Sequence, residues 1–398
     1  MPIRQLSNCW EGRNKYNYRG TIISNYLGIL YLHIPYCHRR CTYCAFYSSV
    51  TAGDKQGYVE ALCQELHLRR GEQNHPLRTI YFGGGTPTIL TIEQLFQVVE
   101  TIRQNYDTCQ LEEVTIEANP EDLTVAYTKK LRELDFFNRV SIGVQSFKDK
   151  DLRMLNRRHN AIQSLEAVRN VEAAGFSNIS IDLIYGLPGQ TLEGWQDNLY
   201  QLESLPVSHF SAYSLTVEEG TMLEHQIAQG KVIPADEETV LSQYGTLLEW
   251  AAREDFIQYE ISNFCRAGKQ SRHNSRYWDR TPYIGVGAAA HSFDGRNRRW
   301  NVADVGRYVE TVAEGNPQHE EETLTLADAY NEYVMTALRT TAGIEKAKVE
   351  RPFYAQLTKK MKRFEDEGLI EETPTHYKPT RRGLLQADGM AVELMVEG

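Results

Sequence analysis

Cys37, Cys41 and Cys44 lie in the run His33-Ile34-Pro35-Tyr36-Cys37-His38-Arg39-Arg40-Cys41-Thr42-Tyr43-Cys44-Ala45-Phe46, a C-x3-C-x2-C spacing on one loop. Three thiolates on one loop can hold three corners of a soft, thiophilic centre, whereas a structural zinc ion takes four ligands and closes its shell. No fourth cysteine lies nearby. His38 could complete a zinc site only by folding back sharply beside Cys37, while a [4Fe–4S] cluster with one open iron accounts for the missing ligand directly. Farther along, Glu117 and Asp182 each sit in an apolar run. A carboxylate there is costly without a partner, so both read as ligand-facing, with a structural ion pair as the bland alternative. In Phe82-Gly83-Gly84-Gly85-Thr86-Pro87-Thr88, three glycines either let the backbone approach a ligand closely or simply form a tight turn.

These residues need a scaffold, and the chain offers an α/β one. Short β-branched or aromatic runs alternate with helical periodicity from residue 28, the pattern of βα units around a parallel sheet. Strands are expected at 28–34, 79–82, 114–117, 140–144, 179–184 and 210–215, with helices at 58–69, 92–104, 123–134, 161–174 and 192–202. The regularity fades after about residue 216, so the expected fold is a partial (β/α)6 barrel. In such a barrel reacting groups collect at the C-terminal strand ends, and that is where the cysteines, the glycine run, Glu117, the Ser141 to Ser146 run and the Asp182 to Gly189 run fall. The expected division is a polar extension at 1–27, the barrel at 28–265, a boundary segment at 266–300 and a C-terminal α+β domain at 301–398. Helices at 326–339 and 349–367, followed by strands at 369–371 and 376–378 around Thr373-Pro374, resemble a winged-helix unit.

Composition excludes several classes. The 398 residues carry 43 Lys and Arg against 53 Asp and Glu, a net charge of −10 that disfavours a nucleic-acid surface. Lys359, Lys360, Lys362, Arg363, Arg381 and Arg382 are interleaved with Glu365, Glu367, Glu371 and Glu372, so the winged-helix-like unit reads as packing or lid rather than DNA binder. Seven cysteines, three of them clustered, do not form the even framework of a secreted disulfide scaffold and suit a reducing cytoplasm. The longest mainly apolar run, Tyr26 to Tyr36, contains His33 and Pro35 and is too short to span a bilayer, and no signal peptide is legible. Cys9 and Trp10 acquire no role. Cys63 and Cys109 are expected to pack as small hydrophobes.

C-x3-C-x2-C after the first strand of a βα barrel is the signature of the radical S-adenosylmethionine (SAM) superfamily, which this chain resembles. The resemblance implies a cluster on Cys37, Cys41 and Cys44 whose fourth iron takes the amino and carboxylate groups of SAM. From residue 28 onward the chain is similar to the oxygen-independent coproporphyrinogen III oxidase family, whose branches are a dehydrogenase, HemN, and a haem chaperone, HemW. The shared pieces are Tyr31 to Cys37, Gly83 to Thr88, Glu117 to Pro120, Gly143 to Ser146, Leu155 to His159 and Asp182 to Gly189. Carried over, Tyr31, Gly84, Gly85, Thr86, Glu117, Gln145, Arg157 and Asp182 become SAM contacts, a set rich in the carboxylates, guanidinium and backbone donors the ligand needs. The dehydrogenase has a further cysteine where this chain has Phe46. Arg272-His273-Asn274-Ser275-Arg276-Tyr277-Trp278 resembles the H-N-x-x-Y-W motif of the chaperone branch. By that resemblance His273 is a candidate haem ligand and Tyr277 and Trp278 candidate covers for the macrocycle. From bare residue types they read equally as core packing around a structural histidine.

The leading expectation is therefore a cytoplasmic haem chaperone that binds haem, a [4Fe–4S] cluster and SAM and hands haem to an acceptor haemoprotein, with no nucleic-acid partner and no permanent membrane anchor. A homodimer is compatible with it. The alternatives are a coproporphyrinogen III dehydrogenase and, more remote, a zinc-stabilised winged-helix interaction protein.

Overall fold

The computed structural model describes residues 28–50, 53–73 and 75–397. The extension 1–27, with Cys9 and Trp10, lies outside the described residues. Six strands run parallel and in sequence: β1 (Gly28–Ile34), β2 (Leu77–Gly84), β3 (Glu113–Ala118), β4 (Arg139–Gln145), β5 (Ile179–Tyr185) and β6 (His209–Ser214). Beyond β6 the sheet turns antiparallel through β8 (Asn263–Cys265) and then β7 (Ile257–Gln258); beyond β1 it gains β9 (Ile284–Val286), parallel to β1. The order β7-β8-β6-β5-β4-β3-β2-β1-β9 leaves the sheet open, a partial barrel.

Each strand alternates in character. Leu32, Phe82, Ile116, Ile142, Ile181 and Phe210 pack with Leu62, Leu95, Val99, Val168 and Leu199 of the covering helices, one continuous buried cluster. Those helices are α1 (Lys55–Leu68), α2 (Ile92–Asn105), α3 (Val125–Glu133), α4 (Asp149–Met154), α5 (Ala161–Ala173) and α6 (Leu192–Glu203), followed by α7 (Met222–Ala228) and α8 (Glu237–Arg253). Their starts are chemically fixed. Thr91 and Gln94 at α2, and Asn160 and Gln163 at α5, exchange side-chain and backbone hydrogen bonds as capping boxes. The opposite strand positions, including Tyr81, Thr115, Glu117, Arg139, Ser141, Ser180, Asp182 and His209, are polar and face the lumen, where the site is built.

The stretch expected to be a boundary, where no periodicity is legible, consists of short elements. It carries α9 (Arg272–Trp278), β9, β10 (His291–Phe293) and β11 (Asn297–Asn301), the last two joined by β12 (His319–Thr323) in an antiparallel sheet. A seven-residue helix and three-residue strands are too short to show periodicity, which is why the segment looks featureless in sequence. Helix α10 (Val305–Ala313) also belongs to the barrel: Tyr308 and Val312 join its core, and the Tyr308 hydroxyl donates to the buried Glu65 at 2.7 Å. Glu65 further accepts from Gly287 N at 2.8 Å and Asn301 Nδ2 at 2.8 Å, tying β9 and β11 to α1.

A second core begins at Tyr330, later than the expected division at residue 301. It is built from α11 (Leu326–Leu338), β13 (Ile344–Glu345), α12 (Arg351–Asp366), β14 (Ile370–Glu372), β15 (His376–Pro379), α13 (Arg381–Leu385) and α14 (Ala387–Leu394). The expected hairpin forms around Thr373-Pro374, and β13, too short to read in advance, pairs with β15 to give a winged-helix-like α+β unit. On α12 the basic residues face carboxylates: Lys362 pairs with Glu365 and Asp366, and Arg363 with Glu367 and Glu393. Among the described residues no helix is long and apolar enough to cross a membrane.

Candidate functional site

A cavity of about 690 Å³ opens at the C-terminal ends of β1 to β6. The loop after β1 forms one wall, pinned at its base where Cys37 N donates to Ser49 O (3.0 Å) and farther out where Thr42 N donates to Leu155 O (3.2 Å). It carries Cys37, Cys41 and Cys44 into the lining, all three half-buried. The six described cysteines form no disulfide. Burial pushes the Cys37 and Cys44 thiols up.

Three further side chains tie the cysteines to the strand ends. The Thr86 hydroxyl lies 3.6 Å from Cys37 Sγ and accepts from Asn119 Nδ2 at 2.9 Å. Asn119 Oδ1 accepts from Arg157 Nη2 at 2.6 Å, and Arg157 also donates to Gly143 O at 2.7 Å and to Cys41 Sγ at 3.3 Å. Burial works against the guanidinium, but Tyr43 and Cys41 more than offset it and keep Arg157 charged. Glu117 Oε1 accepts from the Tyr81 hydroxyl at 2.6 Å and its Oε2 from Gly84 N at 3.2 Å. Burial raises Glu117 to about 7, the Asp182 charge adding to the rise while the Tyr81 hydrogen bond opposes it. Burial likewise raises Asp182. At the end of β4, Gln145 sits at φ 66°, a left-handed conformation rare for a residue with a side chain, beside a break in the β4/β5 register.

The structure therefore gathers Cys37, Cys41, Cys44, Gly84, Gly85, Thr86, Glu117, Gln145, Arg157 and Asp182 around one cavity. Tyr31 does not line it. Its hydroxyl bonds His33 Nδ1 at 3.0 Å and its ring stacks on Tyr81 at 6.2 Å, beneath the floor. The glycine run also has a cause besides ligand access: a Cβ on Gly84, at φ 110°, would stand 2.8 Å from the His33 ring, and one on Gly85 would stand 2.6 Å from Tyr36 O. The strand ends are packed too tightly there for any side chain.

The haem candidates lie elsewhere. Helix α9 plugs the other end of the lumen, its start capped by Glu113, which accepts from His273 N at 3.0 Å and Arg272 N at 2.9 Å. His273 is 0 % exposed. Its Nδ1 bonds the Thr79 hydroxyl at 2.9 Å and its Nε2 the Tyr277 hydroxyl at 2.9 Å, while burial lowers it to about 3. Tyr277 packs on Tyr283, and Trp278 is half-buried. The arrangement is that of a structural histidine among aromatics, and neither ring nitrogen is presented to a ligand. Cys265 is buried in β8, and Cys109, expected inside, is exposed because it lies in the loop before β3.

Sequence reasoning passed over Tyr81, Asn119 and Arg139. Asn119 stands inside a shared motif, and Tyr81 alternates with Thr79 on β2. Arg139 opens an apolar strand, the same anomaly that singled out Glu117, and ends fully buried with Nε and Nη1 lacking a hydrogen-bond partner. As a charge beneath the two lumen carboxylates it favours their ionised forms.

The profile of the radical SAM superfamily matches residues 31–199, and that of the HemN C-terminal domain residues 324–385. The solved structure of coproporphyrinogen III oxidase (HemN) from Escherichia coli, a radical SAM enzyme, superposes with a TM-score of 0.80 over 93 % of this chain and 90 % of that one, at 23 % identity. Fold and site thus define a radical SAM protein of HemN architecture. The chain is 34 % identical over 363 residues to the haem chaperone HemW of Bacillus subtilis, spanning 89 % of this chain and 96 % of that protein. It is 31 % identical over 372 residues to the haem chaperone HemW of Mycobacterium tuberculosis, spanning 92 % and 94 %. The chain belongs to the HemW family.

Proposed function

We propose that this protein is a cytoplasmic haem chaperone: it holds a [4Fe–4S] cluster on Cys37, Cys41 and Cys44, binds SAM and haem, and passes haem to an acceptor haemoprotein. The observation that carries the reading is the convergence of three half-buried cysteines with Glu117, Asp182 and Arg157 on one cavity, in a chain whose relatives over most of its length are haem chaperones. The donor set fits the cluster. Three half-buried thiols on one wall of the cavity are the donors a four-iron cube takes from a protein that leaves one iron open.

A cluster on these thiolates supplies an open iron and a low-potential electron. Arg157 donates to Cys41 Sγ and lowers the cost of its negative charge in a half-buried wall. Glu117 and Asp182 offer acceptors for the hydroxyls of a nucleoside, and Gly84 and Gly85 bring backbone to the ligand without side chains in the way. Phe46, 73 % exposed, occupies the position where the dehydrogenase branch carries another cysteine.

The test is anaerobic reconstitution of the full chain followed by equilibrium binding of SAM and haem, and mixing of the haem-loaded protein with a haem-free haemoprotein. The reading expects iron and sulfide in the protein, a Soret shift at micromolar haem and movement of haem to the acceptor. Zinc without iron would contradict it, as would conversion of coproporphyrinogen III to protoporphyrinogen IX.

A further inference from the structure

Haem is held by an axial donor to iron, by apolar contact with the macrocycle and by cations for its two propionates. Histidines are plentiful around the barrel, yet most are already committed. His33 bonds Tyr31 and Tyr47 O, His159 bonds Glu121 and Val144 O, His209 bonds Ser180 and Tyr259, and His273 bonds Thr79 and Tyr277, in each case through both ring nitrogens. Using any of them as a ligand means breaking a buried hydrogen bond and stranding its partner.

His38 and His291 differ: both are exposed and neither makes a side-chain hydrogen bond among the described residues, but His291 stacks on Trp300 away from the cavity, whereas His38 lies on the cysteine loop and lines the cavity mouth. Near His38 stands Asp122, half-buried, its carboxylate held by the Thr88 hydroxyl at 2.8 Å and within electrostatic reach of the imidazole. Arg39 and Arg40 follow, both exposed and without an ion pair among the described residues, although carboxylates are plentiful in this acidic chain. The same opening is lined by two exposed aromatics, Phe46 at 73 % and Tyr213 at 43 %. A single exposed aromatic is ordinary, but two lining one mouth beside unpaired guanidiniums make an apolar surface with a polar rim.

We propose that haem docks across the mouth of the cysteine pocket, with His38 as the axial ligand, Arg39 and Arg40 on the propionates and Phe46 against the macrocycle. This rests on the reading of the protein as a haem binder. Cargo and cluster then share one loop, since His38 directly follows Cys37, and α9 is framework rather than ligand.

The experiment titrates ferric haem into the anaerobically reconstituted full chain and into its His38→Ala and His273→Gln variants, with Soret and electron paramagnetic resonance spectra as the readouts. Iron and sulfide content and far-ultraviolet circular dichroism check each fold. His38→Ala is expected to lose the histidine-ligated spectrum and at least about tenfold in affinity, with free imidazole restoring the spectrum. An Arg39→Glu/Arg40→Glu double variant is expected to weaken binding while leaving the Soret position unchanged. A His38→Ala protein with wild-type spectrum and affinity overturns the site, as does a folded His273→Gln protein that alone loses the histidine signature. If the wild-type chain itself shows no Soret change, the haem-binding reading fails, a result distinct from the failure of His38.

Discussion

The two ends of the lumen are built on opposite rules. At the α9 end the histidines and the helix start are paired: Glu113 caps the helix, Thr79 and Tyr277 take both nitrogens of His273, and Ser180 and Tyr259 take those of His209, which leaves the buried Arg139 as the exception. At the cysteine end, Glu117 is pushed to about 7, Asp182 is raised, Gln145 holds a left-handed backbone, and His38, Arg39 and Arg40 go without hydrogen-bonded or ionic partners among the described residues. A buried carboxylate or a strained backbone costs stability and persists where a ligand completes it, and the solvated His38, Arg39 and Arg40 are free to meet one. The difference teaches that motif membership and ligand contact are separate questions. His273 stands in a motif that resembles the chaperone branch, yet Thr79 and Tyr277 take both of its ring nitrogens.

Four perturbations break or sharpen that contrast. The largest effect is expected from Cys41→Ala, which leaves two thiolates for the cluster and should abolish both iron–sulfur content and SAM binding, measured by iron and sulfide analysis and by calorimetry; a full complement of cluster iron would refute the ligand set. Next, Arg157→Met strands Asn119 Oδ1 and Gly143 O and removes a cation beside Cys41, a change expected to cost about 3 kcal/mol in denaturant unfolding and to weaken SAM binding sharply. Retention of both would show the Arg157 links to be incidental.

The third is a pH effect. Glu117 near 7 lies above its ordinary value, so the folded chain binds the proton more tightly than the unfolded one; this contribution to stability is full below about 4.5 and lost as pH rises through about 7. The ionised form is the one that accepts hydroxyl protons, so SAM affinity should rise about tenfold from pH 6 to pH 8, and Glu117→Gln should flatten the profile. A wild-type profile already flat across that range would count against Glu117 as a ligand. The smallest effect is at the other end, where Glu113→Gln weakens the charge-assisted cap of α9 and should cost about 1 kcal/mol of stability with cluster content unchanged. Loss of the cluster in that variant would mean that the two ends are coupled.

Much of this was legible beforehand, for physical reasons that can be named. Strand β1 was readable at both ends because it is a mainly apolar run bounded by Gly28 and Pro35, and α2 and α5 because their apolar positions recur with a helical period. The cysteines, Glu117 and Asp182 announced themselves by type and spacing. Hidden from sequence were β9 and α9, too short for a period, and the addition of α10 to the barrel core through Tyr308 and Glu65. Whether a side chain lines a cavity or lies beneath it also escapes sequence, because it depends on which neighbours claim its polar atoms. Tyr31 lies beneath the floor for that reason, and His273 is withdrawn into α9's packing.

The central claim is that a chain of HemN architecture works here as a carrier of haem. Anaerobic titration of the cluster-loaded full chain with haem, followed by mixing with a haem-free haemoprotein, tests it most directly. The account predicts a saturable Soret band with about one haem per chain that moves to the acceptor on mixing. A chain with an intact cluster that shows no Soret change, or that keeps its haem in the presence of the acceptor, would contradict it.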